Sequence, residues 1–380
     1  MNPVQILQQL VAIPSVNPAL ADDDAIRGES RMVDFLEPWF AQRGFRTQQI
    51  GATPGRPNLL VRRGPAAPEK ILLFESHLDT VGVNGFEGDP FKLRESAGRL
   101  HGRGACDTKG PLAAFLAALD EDVLAALTDA RVEVVWLGAI GEETGNLGAE
   151  EAVAAGLRAD ECLVLEPTSL RIVHAHKGVC WFTVTTRGRA AHASDPARGD
   201  NAILKMPAVW RILEEEAAEA AARHPGHILG APTVSVGTIH GGTGTNVVPD
   251  RCEIQVDRRL LPGETAADVL PDLRARLAAV PGGVEVALLK DGLPFHTALQ
   301  APLVRRFCEA LTAAGQPPTV EGAAWCSDAG VLSSACAETI VWGPGAIAQA
   351  HTVDEYIESA ALAAGRDTLR RFLLATALHL

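Results

Sequence analysis

A chain of 380 residues is long enough for one large or two ordinary domains, and its 47% hydrophobic and 21% charged content excludes a disordered or fibrous protein. A net charge of −13 argues against nucleic acid or an anionic membrane as partner, because either calls for a basic patch to neutralise phosphates. Seven cysteines without a CxxC pair argue against a disulfide framework or a Cys-rich zinc site and fit a reducing compartment. No basic start followed by an apolar run opens the sequence, and no segment approaches about 18 apolar residues. A cytoplasmic, untargeted protein is therefore expected.

Residues 2–12 and 25–43 carry helical periodicity, and short β-type runs follow at 58–62 and 70–75. The second run is continuously apolar in Ile71-Leu72-Leu73-Phe74, as in a strand covered on both faces, and this implies α/β layering. Residues 131–139 and 161–165 repeat the pattern. Between them, 110–127 (GPLAAFLAALDEDVLAAL) reads as one helix opened by Gly-Pro, so strands alternate with helices in a doubly wound sheet. After Lys177 the order becomes β-α-β-β-α-β, with strands at 178–186, 232–239, 251–258 and 284–289 and helices at 201–223 and 266–280. Such a split unit folds by itself as a small α+β domain of the ferredoxin-like kind. Segments 302–314, 328–335, 339–342 and 353–378 resume the earlier style, the last as one long helix with His351 at its start. The expected organisation is an α/β main domain of residues 1–176 and 291–380, interrupted by an inserted domain at 177–290.

His77 and Asp79, in Ser76-His77-Leu78-Asp79, lie just past the carboxyl end of an apolar strand, where open α/β sheets place ligands. A carboxylate two residues from an imidazole can orient it, although a polar pair at a strand end also arises without function. The loop Gly102-Arg103-Gly104-Ala105-Cys106-Asp107-Thr108-Lys109-Gly110 lacks the Gly-Lys-Ser/Thr order of a phosphate loop. It reads as a tight approach of backbone to a site or as a surface turn. Asp107 is its only carboxylate, and the two oxygens of one carboxylate suffice to bridge two cations. Glu142 and Glu143 follow the strand 132–139, again at a carboxyl end. Either the pair sits in a solvated loop, or one acid ligates a metal while its neighbour takes a proton from a water that the ion has acidified. Glu166 ends a fourth apolar strand, and His351 follows a Gly/Pro loop. Together His77, Asp107, Glu143, Glu166 and His351 form a mixed N/O donor set suited to zinc, or to cobalt or manganese.

With these segments assembled, the chain resembles, over almost its whole length, the aminoacylase/acetylornithine deacetylase/succinyl-diaminopimelate desuccinylase family of metallopeptidases. The matching stretches are SHLDTV, GRGACDTKG, GEETG, LEPT, GRAAHAS, GTNVVPD and GPGAIAQAHTVDEY. The resemblance implies a zinc-aminopeptidase-like catalytic domain, an inserted lid and dimerisation domain, and a homodimer formed through that lid. Carried over motif by motif, it implies two divalent ions bridged by Asp107, with His77 and Glu166 completing one site and Glu143 and His351 the other. Glu142 would be the general base, Asp79 would orient His77, and a cis peptide would follow Asp107. His192 would stabilise the oxyanion, often from the partner subunit, and Asn246 and Arg258 would meet the substrate carboxylate. An exposed strand charge is the other reading of Arg258. The substrate implied is a small N-acyl amino acid of the N-acetyl-L-ornithine kind, with an N-succinyl-diaminopimelate-type compound or a short peptide as alternatives.

One departure bears on the substrate. Where desuccinylase-type members carry Gly-Thr-Ser-Asp, this chain has Trp325-Cys326-Ser327-Asp328, so the side-chain pocket differs. Cys326 lines that pocket or is simply a small buried residue. His101, His174, His176, His224, His227, His240, His296 and His379 have no partner pattern and are expected at surface or structural positions.

Overall fold

The computed structural model describes residues 2–378; His379 lies outside them. The chain divides into two compact units, one formed by residues up to His174, His296–Glu321 and from Ser327 onward, the other by Ala175–Phe295 and Gly322–Cys326.

At the centre of the first unit, the parallel strands Val132–Ala139, Lys70–His77, Ala159–Val164 and Cys336–Val341 lie side by side in that order. Leu72, Leu73 and Phe74 are fully buried, each contributing about 1.5–3 kcal/mol of apolar burial. Two antiparallel strands, Arg46–Ile50 and Asn58–Arg63, extend the sheet beyond Val132–Ala139, so it is mixed rather than purely parallel. The expected helix at 110–127 is two helices, Lys109–Ala118 and Glu121–Asp129. Asp120 separates them because its carboxylate accepts the Val123 N–H and caps the second. Lys109–Ala118 is buried along its whole length, which explains why it is apolar on every side. The long helix expected at 353–378 begins only at Ser359, after a strand Tyr356–Glu358 that pairs with Arg99–His101. His351 accordingly stands in a loop, not at a helix start.

The second unit is the β-α-β-β-α-β fold. Its antiparallel sheet has the order Val234–Gly241, Arg251–Leu260, Gly178–Arg187, Val284–Gly292. The helices Met206–Arg223 and Ala266–Leu277 close a core of Phe182, Val184, Ile254, Leu213 and Leu273. An α/β catalytic domain carrying an inserted β-sheet subdomain is thus the architecture.

Candidate active site

Three adjacent parallel strands end at one place. His77 closes Lys70–His77 and is in register with Ala139, Glu142 and Glu143 follow one turn beyond Ala139, and Glu166 lies two residues past Val164. Gly141 makes that turn with φ 71°, a backbone region that side chains with a Cβ rarely adopt. The loop ahead of helix Lys109–Ala118 supplies Asp107, followed by a cis peptide to Thr108.

Two donor sets result, His77 with Asp107 and Glu166, and Asp107 with Glu143 and His351, the donor atoms of each set lying within 4.8 Å of one another. Asp107 divides its oxygens between them. Its Oδ1 is 3.0 Å from His77 Nε2 and its Oδ2 is 3.3 Å from His351 Nε2, while Glu143 Oε2 is 3.0 Å from the same His351 nitrogen. Glu166 Oε1 lies 3.9 Å from His77 Nε2. His77 Nδ1 donates to the Asp79 carbonyl at 2.9 Å, which leaves the Nε2 lone pair facing the cluster, as ligation requires.

The electrostatics ask for a cation. Burial drives the Glu166 carboxyl well above its usual range, with Asp107 adding to the effect, and burial also raises Glu143. The Asp107 and Glu143 carboxylates push His351 up to about 10. Glu143 Oε1 is buried without a hydrogen-bond partner. Clustered buried carboxylates and an orphaned ligand oxygen fit divalent ions bound by mixed N/O donors.

Asp79 stands beside His77 and reaches the acidic turn as well. Its carboxylate is 3.6 Å from His77 Nδ1, and its oxygens accept the backbone N–H groups of Glu142 at 3.1 Å and Glu143 at 3.2 Å. It thus faces the His77 ring and also holds the acidic turn, while its own main-chain carbonyl takes the Nδ1 proton. Glu142 is half-buried and belongs to neither donor set.

The remaining expected residues lie in the inserted unit. His192 and Asn246 are both exposed and adjoin: His192 bridges Val247, and Ala193 N–H donates to the Asn246 carbonyl at 2.9 Å. Ser194 N–H donates to His192 Nδ1 at 3.1 Å, so the ring proton sits on Nε2. Arg258 corrects the expectation. It is fully buried, and its two terminal nitrogens are held by Glu264 at 2.6 and 2.8 Å and Glu216 at 3.5 Å, so it is out of a substrate's reach. Strand alternation sends the next side chain, half-buried Arg259, to the opposite face, where it meets Asp257 at 3.0 Å.

Two acids escaped the sequence reading. Glu355 is 1% exposed and accepts from Arg103 Nη1 at 2.7 Å and from the backbone N–H groups of Gly104 (2.9 Å), Cys106 (2.8 Å) and Asp107 (3.0 Å). Glu75, buried in the apolar run, is pushed well above the carboxylate range by burial and by Asp328. Asp328 itself is fully buried, accepts from Asn146 Nδ2 at 2.9 Å and belongs to neither donor set.

Two donor sets sharing one aspartate at the carboxyl ends of parallel strands define a di-metal amidohydrolase or metallopeptidase. Residues 73–375 match the family described as Peptidase family M20/M25/M40, and the chain belongs to it. It is 33% identical over 385 aligned positions to an acetylornithine deacetylase of Erwinia tasmaniensis, covering 97% of this chain and 96% of the relative. An acetylornithine deacetylase of Salmonella paratyphi B is also 33% identical, over 94% and 93%. Among solved structures, the M20 family metallo-carboxypeptidase Sso-CP2 from Sulfolobus solfataricus superposes with a TM-score of 0.81 at 18% identity, covering 100% of both chains. The dipeptidase Dug1p from Saccharomyces cerevisiae gives 0.76 at 16% identity, over 99% of this chain and 96% of that one. The protein is a metal-dependent hydrolase of amino-acid or peptide amides. No helix among the described residues is long and apolar enough to cross a membrane.

Proposed function

We propose that the protein removes the acyl group of a small N-acyl amino acid of the N-acetyl-L-ornithine kind. The observation that carries this reading is the likeness to acetylornithine deacetylases across 97% of the chain, together with the paired donor sets. His77 and Glu166 would hold one ion and Glu143 and His351 the other, with Asp107 between them; zinc suits these donors best, with cobalt or manganese as substitutes. When bound, such ions polarise an amide carbonyl and bring the pKa of water toward neutrality. Glu142 takes the proton of the attacking water and passes it to the leaving amine. His192, protonated on Nε2, donates to the carbonyl oxygen as it becomes anionic, a contact worth most in the transition state.

Asn246 meets the substrate carboxylate, and Arg259 replaces the buried Arg258 beside it; removal of either raises KM. A homodimer through the inserted unit is supported by exposed Leu204 and Trp210 and by Ile239 on the edge strand Val234–Gly241, and sedimentation checks it. Seven free cysteines support a cytoplasmic setting, which fractionation of the host cell checks.

A hydrolysis panel of N-acetyl, N-succinyl and N-formyl amino acids and dipeptides, with zinc or cobalt, tests the substrate. N-acetyl-L-ornithine is expected to give the highest kcat/KM. A lead for N-succinyl substrates or dipeptides would overturn the deacetylase reading and leave the amide chemistry standing. His192→Ala is expected to lower kcat about 10²–10³-fold with metal content unchanged; normal kinetics would remove His192 from the mechanism.

A further inference from the structure

We propose that Asn17 is a positioning residue that sets the acidic turn bearing Glu142, acting through Asp79. The inference rests on Glu142 being the base. Asn17 lies in Ile13-Pro14-Ser15-Val16-Asn17-Pro18, a segment between the first two helices with no motif character of its own. This segment runs beside the end of the His77 strand: Thr80 N–H donates to the Ser15 carbonyl at 3.0 Å, and Asn17 N–H donates to the Thr80 carbonyl at 2.9 Å. Asn17 is thereby delivered next to Asp79, and it is 1% exposed.

The orientation of its amide is fixed independently of Asp79. Asn17 Oδ1 accepts the Ala19 N–H at 3.0 Å, so the NH2 group must face the other way. That group has two hydrogens and two acceptors, Asp79 Oδ2 at 2.7 Å and Thr144 Oγ1 at 3.0 Å. One side chain therefore spans the carboxylate that holds the turn and a hydroxyl belonging to the turn itself.

The chain of contacts is short. Asp79 Oδ1 accepts Glu142 N–H and Oδ2 accepts Glu143 N–H, so the azimuth of the carboxylate decides where both backbone groups sit. That torsion is intrinsically broad and two-fold for aspartate. Asn17 removes the freedom. His77 does not depend on that carboxylate alone, because its Nδ1 donates to the Asp79 main-chain carbonyl at 2.9 Å, closer than the carboxylate oxygen at 3.6 Å. Loss of Asn17 is therefore expected to disturb the turn more than the donor set around His77, and a displacement of about 1 Å at a reacting group costs on the order of 10²-fold in rate.

The test uses Asn17→Leu, which keeps the side-chain volume and removes both donors. Thr144→Val, at an exposed position, removes only the second acceptor, and Glu142→Gln serves as reference. Each full-length variant is measured at saturating zinc for bound zinc, melting temperature, kcat and KM, on whichever amide the wild type hydrolyses fastest. Asn17→Leu is expected to bind zinc as the wild type does and to lose kcat by about 10–100-fold, with KM within about twofold. Thr144→Val is expected to lose about fivefold in kcat, the worth of one neutral hydrogen bond. Wild-type kcat in both variants, whatever happens to the melting temperature, overturns the proposal, as does a loss of kcat that only mirrors a loss of bound zinc. If Asn17→Leu does not fold, Thr144→Val decides alone. Full turnover by Glu142→Gln overturns the base assignment instead, and the two failures are distinct because the first leaves Glu142→Gln inactive.

Discussion

Glu142→Gln is expected to retain about two zinc ions and to lose turnover by about 10²–10⁴-fold, the contribution of a positioned general base. The substitution keeps the shape of the side chain and takes away only its ability to accept a proton. Its backbone N–H stays on Asp79 Oδ1, so the turn keeps its anchor. Glu142 also lies outside both donor sets, which is why metal binding should survive. Glu143→Gln makes the contrast one residue away. Glu143 Oε2 is 3.0 Å from His351 Nε2 and its Oε1 is buried without a partner, so that variant should lose an ion before it loses chemistry. Elemental analysis with steady-state kinetics separates the two. Retention of more than about a tenth of wild-type kcat by Glu142→Gln would remove it as the base.

The five donors were legible because each follows a strand end or a glycine-rich turn, and parallel strands in one sheet must bring such ends together. His77, Glu143 and Glu166 needed only the register of three apolar runs, and Asp107 and His351 needed their loops. What stayed hidden was tertiary. Glu355 reads as one more acid in a polar stretch, and only the fold turns it toward four donors on residues 103–107. Glu75 was hidden inside an apolar strand, where one acid does not disturb the pattern. Arg46–Ile50 was missed because RTQQI has neither apolar alternation nor a buried face, as an edge strand permits. Asp120 inside an Ala/Leu run was the available sign of a helix break, since aspartate favours the cap over the helix interior.

Arg258 and Asp79 share a second lesson. Both were assigned a target from motif position; for Arg258 the geometry gave a different partner, and for Asp79 it added one. For Arg258 the period of two decides: alternate residues of Arg251–Leu260 face the helices, and Arg258 is among Cys252, Ile254 and Val256 on that inward side. A guanidinium there is tolerated only because Glu264 and Glu216 neutralise it. For Asp79, the carboxylate faces the imidazole at 3.6 Å and also accepts the Glu142 and Glu143 N–H groups, partners that only the fold reveals.

Glu355→Ala should be the most disruptive change outside the donor sets. Removing the carboxylate strands the Arg103 guanidinium, which is 3% exposed, and takes the acceptors from three backbone N–H groups in the same loop. Breaking a buried ion pair in this way costs about 3–5 kcal/mol. The loop also carries Asp107, whose N–H is one of the three, so the defect reaches the oxygen that both donor sets share. Zinc affinity is expected to fall about 10–100-fold in addition to the loss of stability. Thermal melting with and without zinc distinguishes the two effects, because a ligand raises stability by RT ln(1 + [L]/Kd) and weaker binding shrinks the rise. Glu355→Gln should fall between wild type and Glu355→Ala, since it offers one acceptor oxygen where two are in use. A lowered melting temperature with an unchanged zinc-dependent rise would make Glu355 a purely structural residue. A rise that collapses would show that the bridging aspartate is held in place by an acid nearly 250 residues away in the chain.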